Sequence, residues 1–266
     1  MIIQTLEQSD IPLITELQPA DWPDIIPVID FYTKSSFCFP IKAIINKAIV
    51  GIGAAIIHNN VAWLAHIIVH PDTRNQGIGR LITQTLISGS QGRNCKTIYL
   101  IATEQGGRVY DKLGFECETE YLLFKDVKVD GSFTPSENIV AYTDSLKTQI
   151  SNLDKQVSGE DRMFQHKEHL PNSFVYLQNN IVQGCYMPTF REGLITANTT
   201  SAGIELMKLR LTTKRNAAFP INNLAAKEFM YEHYFKEFNT AKRMRLGIKR
   251  PWQPANIYNR IGGNLG

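Results

Sequence analysis

The sequence has no CxxC pair and no Cys/His cluster, its four cysteines (Cys38, Cys95, Cys117 and Cys185) standing far apart. That spacing excludes a zinc ligand set and a disulfide framework, so free thiols are expected. No uninterrupted apolar run approaches the roughly 18 residues of a membrane span. Glu7 and Asp10 come early, and the N-terminus lacks a signal peptide's basic and apolar regions. A cytoplasmic protein with no membrane partner is the expectation. Charge of one sign is scarce too. The formal net charge is only +3, too little to mark a nucleic-acid binder. The locally basic stretch of Lys236, Lys242, Arg243, Arg245, Lys249 and Arg250 reads as a solvated face.

What is present is ordinary for a folded chain, with 43% hydrophobic and 20% charged residues. At 266 residues it exceeds the common domain size, so two domains of about 100–150 residues are expected. The turn-rich segment from Lys128 to Asn138, with Asp130-Gly131-Ser132 and Pro135, marks the division. Residues 1–130 form one expected domain and 136–266 the other. The second half echoes the first at an offset of about 130 residues. The strand-turn-strand pattern at 45–51 returns at 177–184. Gln76-Gly77-Ile78, before a helix, is echoed by Ala202-Gly203-Ile204, and the aromatic-ended segment 108–115 by 229–235.

In the first half the pattern predicts an extended segment at 1–6, helices within 9–19 and 22–33, and strands near 41–46, 48–58 and 61–69. Helices near 77–91 and 104–113 then bracket a strand at 96–102, and strands close the domain near 115–128. This is an α+β pattern, with helices packed on a mixed sheet.

The stretch richest in chemistry runs from Trp63 to Arg80. A strand ending at Val69-His70-Pro71 leads through Asp72-Thr73 into Arg74-Asn75-Gln76-Gly77-Ile78-Gly79-Arg80, which opens an amphipathic helix. A helix start leaves backbone N–H groups without partners and carries the positive end of the helix dipole, so it suits a phosphate or pyrophosphate. Gly77 and Gly79 remove side chains where such a ligand comes close, and Arg74 and Arg80 add positive charge. The run lacks the third glycine and the later acid of a dinucleotide-binding turn, and the Gly-Lys-Ser/Thr of a P-loop.

Val69-His70-Pro71 followed by Arg-x-x-Gly-x-Gly resembles the signature of the GNAT acyltransferase family. The resemblance implies tandem GNAT-like folds, each a mixed, mostly antiparallel sheet flanked by helices, the second diverged. It implies acetyl-CoA as cosubstrate and no metal. Backbone amides of residues 74–80 would bind the CoA pyrophosphate, and the strand edge at Ile67, Ile68 and Val69 would pair with the pantetheine arm and supply the oxyanion donor. Tyr110, in Tyr-x-x-x-Gly-Phe at 110–115, would be the general acid for the leaving thiolate. The reference pKa values of phenol and thiol, about 10 and 8.5, are compatible with that role. The second half's counterpart turn, Thr200 to Glu205, lacks the arginine and the second glycine, so one cofactor site is expected.

Two departures stand out. Thr103 and Gly106 replace the usual Asn and Ala before the tyrosine, and Trp63 and Ala65 occupy strand positions where relatives often carry a base. The period of two in a strand places His66 on the opposite face. Glu104, Glu116, Glu118 and Tyr121 remain as candidates acting through water. The expected activity is acetyl transfer to a primary amine of a small molecule or peptide, by a monomer or homodimer. The alternative is an acyl-CoA-binding sensor without turnover.

Overall fold

The computed structural model describes all residues except Asp21 and 128–133, so most of the expected division at 128–138 lies outside the described residues. The chain divides into two compact units. Unit 1 comprises Met1–Ile101, Gly106–Glu116 and Met244–Lys249, and unit 2 comprises Ala102–Gln105, Cys117–Arg243 and Arg250–Gly266.

Unit 1 begins with strand β1 (Ile2–Thr5) and two 3-10 turns, Gln8–Leu13 and Thr15–Leu17. A helix was expected within 9–19, but Pro12 has no N–H to donate, and α-helical hydrogen bonding gives way to short turns. Helix α1 (Ile26–Lys34) starts with Pro27 in its first turn, where the missing N–H costs nothing. Strands β2 (Cys38–Ile45) and β3 (Ala48–His58) form a hairpin. Its turn places Asn46 and Lys47 at φ 48° and 69°, the left-handed pair that matches the twist of a two-residue hairpin. Strand β4 (Val61–Val69), helix α2 (Ile78–Gly92), strand β5 (Thr97–Ala102) and helix α3 (Glu104–Asp111) follow, and strand β6 (Glu116–Phe124) belongs to unit 2 from Cys117 onward.

The strands of unit 1 lie in the order β1-β2-β3-β4-β5, antiparallel except for the β4–β5 pair. Residues near 248 continue beyond β5, with Ile248 N–H donating to Lys96 C=O at 2.9 Å. Helix α2 buries Ile78, Ile82, Leu86 and Ile87, each contributing roughly 1.5–3 kcal/mol by removal from water. It approaches the sheet closely because β3 carries Gly53, where an added Cβ would stand 2.7 Å from Ile82 Cγ2.

In unit 2, strand β7 (Ile139–Ala141), helices α4 (Lys147–Ser158) and α5 (Met163–His166), and strands β8 (Phe174–Gln178), β9 (Ile181–Met187) and β10 (Leu194–Ala197) come first. Helix α6 (Thr200–Leu211), strand β11 (Ala217–Pro220), helix α7 (Leu224–Glu232), strand β12 (Glu237–Gly247) and strand β13 (Ile257–Asn259) complete it, the end of β12 belonging to unit 1. The β8–β9 hairpin repeats the left-handed pair, at Asn179 and Asn180. Its sheet has the order β13-β10-β9-β8-β7, and β11 pairs antiparallel with β6. The fold class is thus α+β, with mostly antiparallel sheets flanked by helices.

In the basic stretch near the C-terminus Lys236, Lys242 and Lys249 are exposed as expected, but two arginines are not. Arg243 is 2% and Arg245 7% exposed. Arg243 Nε donates to Glu118 Oε2 at 3.0 Å, and its guanidinium lies 3.9 Å above the Trp252 ring. Arg245 pairs with Glu116. These arginines are drawn inward by carboxylates distant in sequence, which local composition does not reveal.

Candidate functional site in unit 1

Strand β4 changes character halfway along. From Val61 to Leu64 it pairs with β3 on one edge and, in parallel, with β5 on the other, the β5 pairing running from Val61↔Thr97 to Leu64↔Leu100. Trp63 is fully buried there, its ring 4.9 Å from that of Tyr99. Beyond Leu64 the β3 pairing continues to Gly51↔Val69 while the β5 ladder stops. The β4 edge that carries Ile67, Ile68 and Val69 is therefore without a β5 partner. An unpaired strand edge presents alternating N–H and C=O groups, the pattern an extended amide chain can complete.

The register also slips at this point. Ala65 faces Ala54 and Ile68 faces Ile52, so His66 and Ile67 together oppose Gly53, an extra residue that makes a β-bulge. His66 takes φ 49°. The bulge cancels the period-of-two argument that assigned His66 to the far face. Its Nδ1 lies 3.0 Å from Tyr32 Oη on α1, and its ring makes edge contacts with Tyr32 and Trp22 at 5.5 and 5.9 Å. A bulge leaves no mark in composition, and Tyr32 is distant in sequence, so neither was legible beforehand.

After β4 the chain turns through a 3-10 segment, Pro71–Thr73, where His70 Nδ1 accepts from Asp72 N–H at 3.3 Å. His70 thus acts as a cap. Arg74 N–H donates to Pro71 C=O and Leu81 N–H to Gly77 C=O. Between those two bonds the amides of Asn75, Gln76, Gly77, Ile78, Gly79 and Arg80 have no backbone acceptor among the described residues. Asn75 and Gly77 adopt φ 62° and 81°, which turns successive N–H groups toward one side in the manner of an anion nest. The turn is exposed except at Ile78, which anchors it to the core, and Gly79, which is half-buried. Arg74 Nε donates to Val69 C=O at 3.2 Å, tying the turn to the strand end.

The two glycines serve different ends. Gly77 needs its positive φ, whereas a Cβ added to Gly79 would meet only Val69 Cγ2, at 3.6 Å, an ordinary contact. Packing does not demand glycine at 79. Its lack of a side chain keeps the space above the helix start clear.

Tyr110 lies in α3, its ring 5.9 Å from that of Phe115 in an edge contact. It keeps some exposure, yet desolvation pushes its pKa up to about 12. The phenol stays protonated through the neutral range, as a proton donor must. Of the remaining candidates, Glu118 and Glu116 are engaged with Arg243 and Arg245. Tyr121 is fully buried, its pKa raised by that burial. The side chain of Glu104 lies outside the described residues. Among the described residues no His/Cys/Asp/Glu group could hold a metal, and no helix is long and apolar enough to cross a membrane.

Residues 39–117 match the family model for an acetyltransferase (GNAT) domain. No curated protein sequence matches the chain. Among solved structures, an assigned acetyltransferase from Pyrococcus horikoshii is 20% identical over 100% of this chain and 95% of its own, with a TM-score of 0.81. A GCN5-related N-acetyltransferase from Sphaerobacter thermophilus is 12% identical over 94% of this chain and 96% of its own, at a TM-score of 0.62. A tandem GNAT protein from the clavulanic acid biosynthesis pathway is 10% identical over 94% and 99%, at 0.61. At such identities the likeness is one of fold, and it extends through both halves. Residues 39–117 thus match an acetyltransferase (GNAT) domain, within a fold that the chain shares over most of its length with a tandem GNAT protein.

Proposed function

We propose that the chain is an N-acetyltransferase that carries acetyl from acetyl-CoA to a primary amine by direct attack. The observation that carries this reading is the pairing, in one unit, of an open β4 edge with a helix-start turn whose amides at 75–80 lack backbone acceptors. These are the two features that an extended pantetheine amide chain and a pyrophosphate need, in the right order along the chain. The amides of residues 74–80 bind the pyrophosphate, with Arg74 and Arg80 adding charge. Ile67, Ile68 and Val69 pair with the pantetheine, and a backbone N–H of this strand faces the oxyanion of the tetrahedral intermediate.

The nitrogen sheds two protons on its way from ammonium to amide, and the departing sulfur takes up one. Tyr110 donates to the departing CoA sulfur and is re-protonated by the second nitrogen proton, released as the intermediate collapses. Tyr110→Phe keeps the packing on Phe115 and removes only the hydroxyl, so kcat is expected to fall about 10²-fold with little change in KM for acetyl-CoA. Steady-state kinetics would show it, and an unchanged kcat would remove Tyr110 from the mechanism. With the phenol held near 12, the wild-type rate should not decline through Tyr110 ionisation anywhere between pH 7 and pH 10.

His66 takes the proton of the incoming ammonium. In the tautomer whose Nδ1–H donates to Tyr32 Oη, Nε2 carries the accepting lone pair. An amine with a reference pKa of about 10 arrives mostly protonated at neutral pH, so a base must take its proton before attack. His66→Gln should lower kcat/KM by about 10–10³-fold at neutral pH, where the ammonium form of the amine dominates. An unchanged kcat/KM in the variant would exclude the role. The activity itself is tested by release of free CoA thiol from acetyl-CoA across a panel of small amines and peptides.

A further inference from the structure

Unit 2 repeats the order of the site in unit 1. Strand β10 leads into helix α6, then strand β11 and helix α7, as β4 leads into α2, β5 and α3. In unit 1 the β4–β5 ladder ends at Leu64↔Leu100 and leaves an open edge. In unit 2 the corresponding edge is occupied. One side of β10 pairs with β9, from Leu194↔Met187 to Ala197↔Gly184. The other side pairs with β13, through Ile195↔Asn259 and Thr196↔Ile257.

The same segment also bonds to β11. Arg260 N–H donates to Ala218 C=O at 2.8 Å, and Asn259 Oδ1 accepts from Ala218 N–H at 3.0 Å. Asn259 is 1% exposed, and its Nδ2 donates to Gly193 C=O at 2.8 Å. The Arg260 guanidinium grips the Glu192 carboxylate at 2.9 and 3.0 Å. The helix start is filled as well. The Tyr258 ring lies against Gly203 of α6, where an added Cβ would stand 2.1 Å from Tyr258 Cζ. At Gly79 an added Cβ would make only an ordinary contact, 3.6 Å from Val69 Cγ2.

What remains beside Tyr258 is a cavity of about 250 Å³ lined by Thr199, Thr200, Asn222, Asn223 and other uncharged residues. Both helix starts that reach it are already capped, Thr199 Oγ1 accepting from Ala202 N–H and Asn223 Oδ1 from Ala226 N–H. Nothing there offers charge to a phosphate.

We infer that residues 257–261 are a built-in occupant of the cleft in unit 2, standing where an acyl-CoA arm would lie, so that each chain binds one acyl-CoA, in unit 1. The location of that single site rests on the function proposed above, whereas the filling of unit 2 rests on the hydrogen bonds of β13 alone. A ligand entering unit 2 would have to break the β10–β13 ladder, the buried Asn259 bonds and the Arg260–Glu192 pair together.

Two measurements on the full chain test this and separate it from the function. Native mass spectrometry with excess acetyl-CoA should show one adduct per chain in the wild type and none in Gly79→Glu. Hydrogen exchange should show the Asn259 and Arg260 amides slow without ligand and unchanged by it. Two adducts, or an adduct in Gly79→Glu with new protection at 194–206, would overturn the inference, as would fast exchange of the tail amides. No wild-type adduct together with a slow tail would refute the acetyl-CoA reading of unit 1 while supporting the filled cleft. Gly203→Ala, forced against Tyr258, should lower Tm by about 5 °C, whereas Gly79→Ala should not lower it. A neutral Gly203→Ala would mean that the tail is not seated on α6.

Discussion

Replacing Gly79 with glutamate is expected to weaken acetyl-CoA binding more than 100-fold, a loss above about 2.7 kcal/mol, without unfolding the protein. The free chain has room for the change, since a Cβ at 79 meets only Val69 Cγ2 at 3.6 Å. A carboxylate at the first turn of α2 is favoured by the helix dipole, by about 0.3–1 kcal/mol, so Tm should stay level or rise slightly. The same carboxylate lies beside the amides of 75–80 that a pyrophosphate would need, and it repels the ligand's negative charge. Calorimetric titration against the wild type measures the first effect and a thermal scan the second. Equal affinity in the two proteins would remove the turn from cofactor binding.

The second large effect concerns stability. Asp154 on α4 and Arg162 are buried to within a few per cent, and they pair in two-pronged fashion, Nη2 to Oδ1 at 2.6 Å and Nε to Oδ2 at 3.2 Å. His166 Nε2 stands 3.7 Å from the same carboxylate. Glu160 and Glu118 flank Arg243 within the same unit, at 3.8 and 3.0 Å. Removing one partner strands the other charge away from water. Asp154→Ala should therefore cost about 3–5 kcal/mol, a fall in Tm of roughly 6–20 °C for a domain-sized unit. The double variant Asp154→Leu/Arg162→Met should lose less than Asp154→Ala, because no charge is left unpaired. If the double variant were the less stable of the two, the pair would be contributing more than mutual neutralisation.

The pH dependence follows from the same pair. Burial alone would raise the Asp154 pKa, but the charge and hydrogen bonds of Arg162, with His166 beside it, hold it below its ordinary value. A carboxyl depressed in the folded state contributes stability that is present above its unfolded pKa, about 3.9. That contribution is lost as pH falls toward the lower folded value. Acid unfolding of the wild type should thus gain a contribution below about pH 4 that Asp154→Ala lacks.

Much of unit 1 was legible because its signals are local. The strand-turn-strand run around Asn46-Lys47 fixes the β2–β3 hairpin locally, and Arg-x-x-Gly-x-Gly places the helix start. What was not legible depends on partners distant in the chain. The expected helix at 9–19 yielded to Pro12. The bulge at His66 arises from the register against Gly53, and the burial of Arg243 and Arg245 from carboxylates on β6. Strand β13 is three residues long, too short to show a period. Its effect on unit 2 appears only once Asn259 and Arg260 are seen bonded to Ala218. In the site, the turn at 74–80 could be read in advance. The end of the β4–β5 ladder and the contact between His66 and Tyr32 could not.

The most direct test of acetyl transfer is free-thiol release from acetyl-CoA across an amine panel, measured for the wild type and for Tyr110→Phe, with acetylated product followed by mass spectrometry. Thiol release matched by an acetylated amine in the wild type, and slowed about 10²-fold in Tyr110→Phe, is the expected result. Tight acetyl-CoA binding with no thiol release on any amine would contradict it and would make the chain a sensor of acyl-CoA.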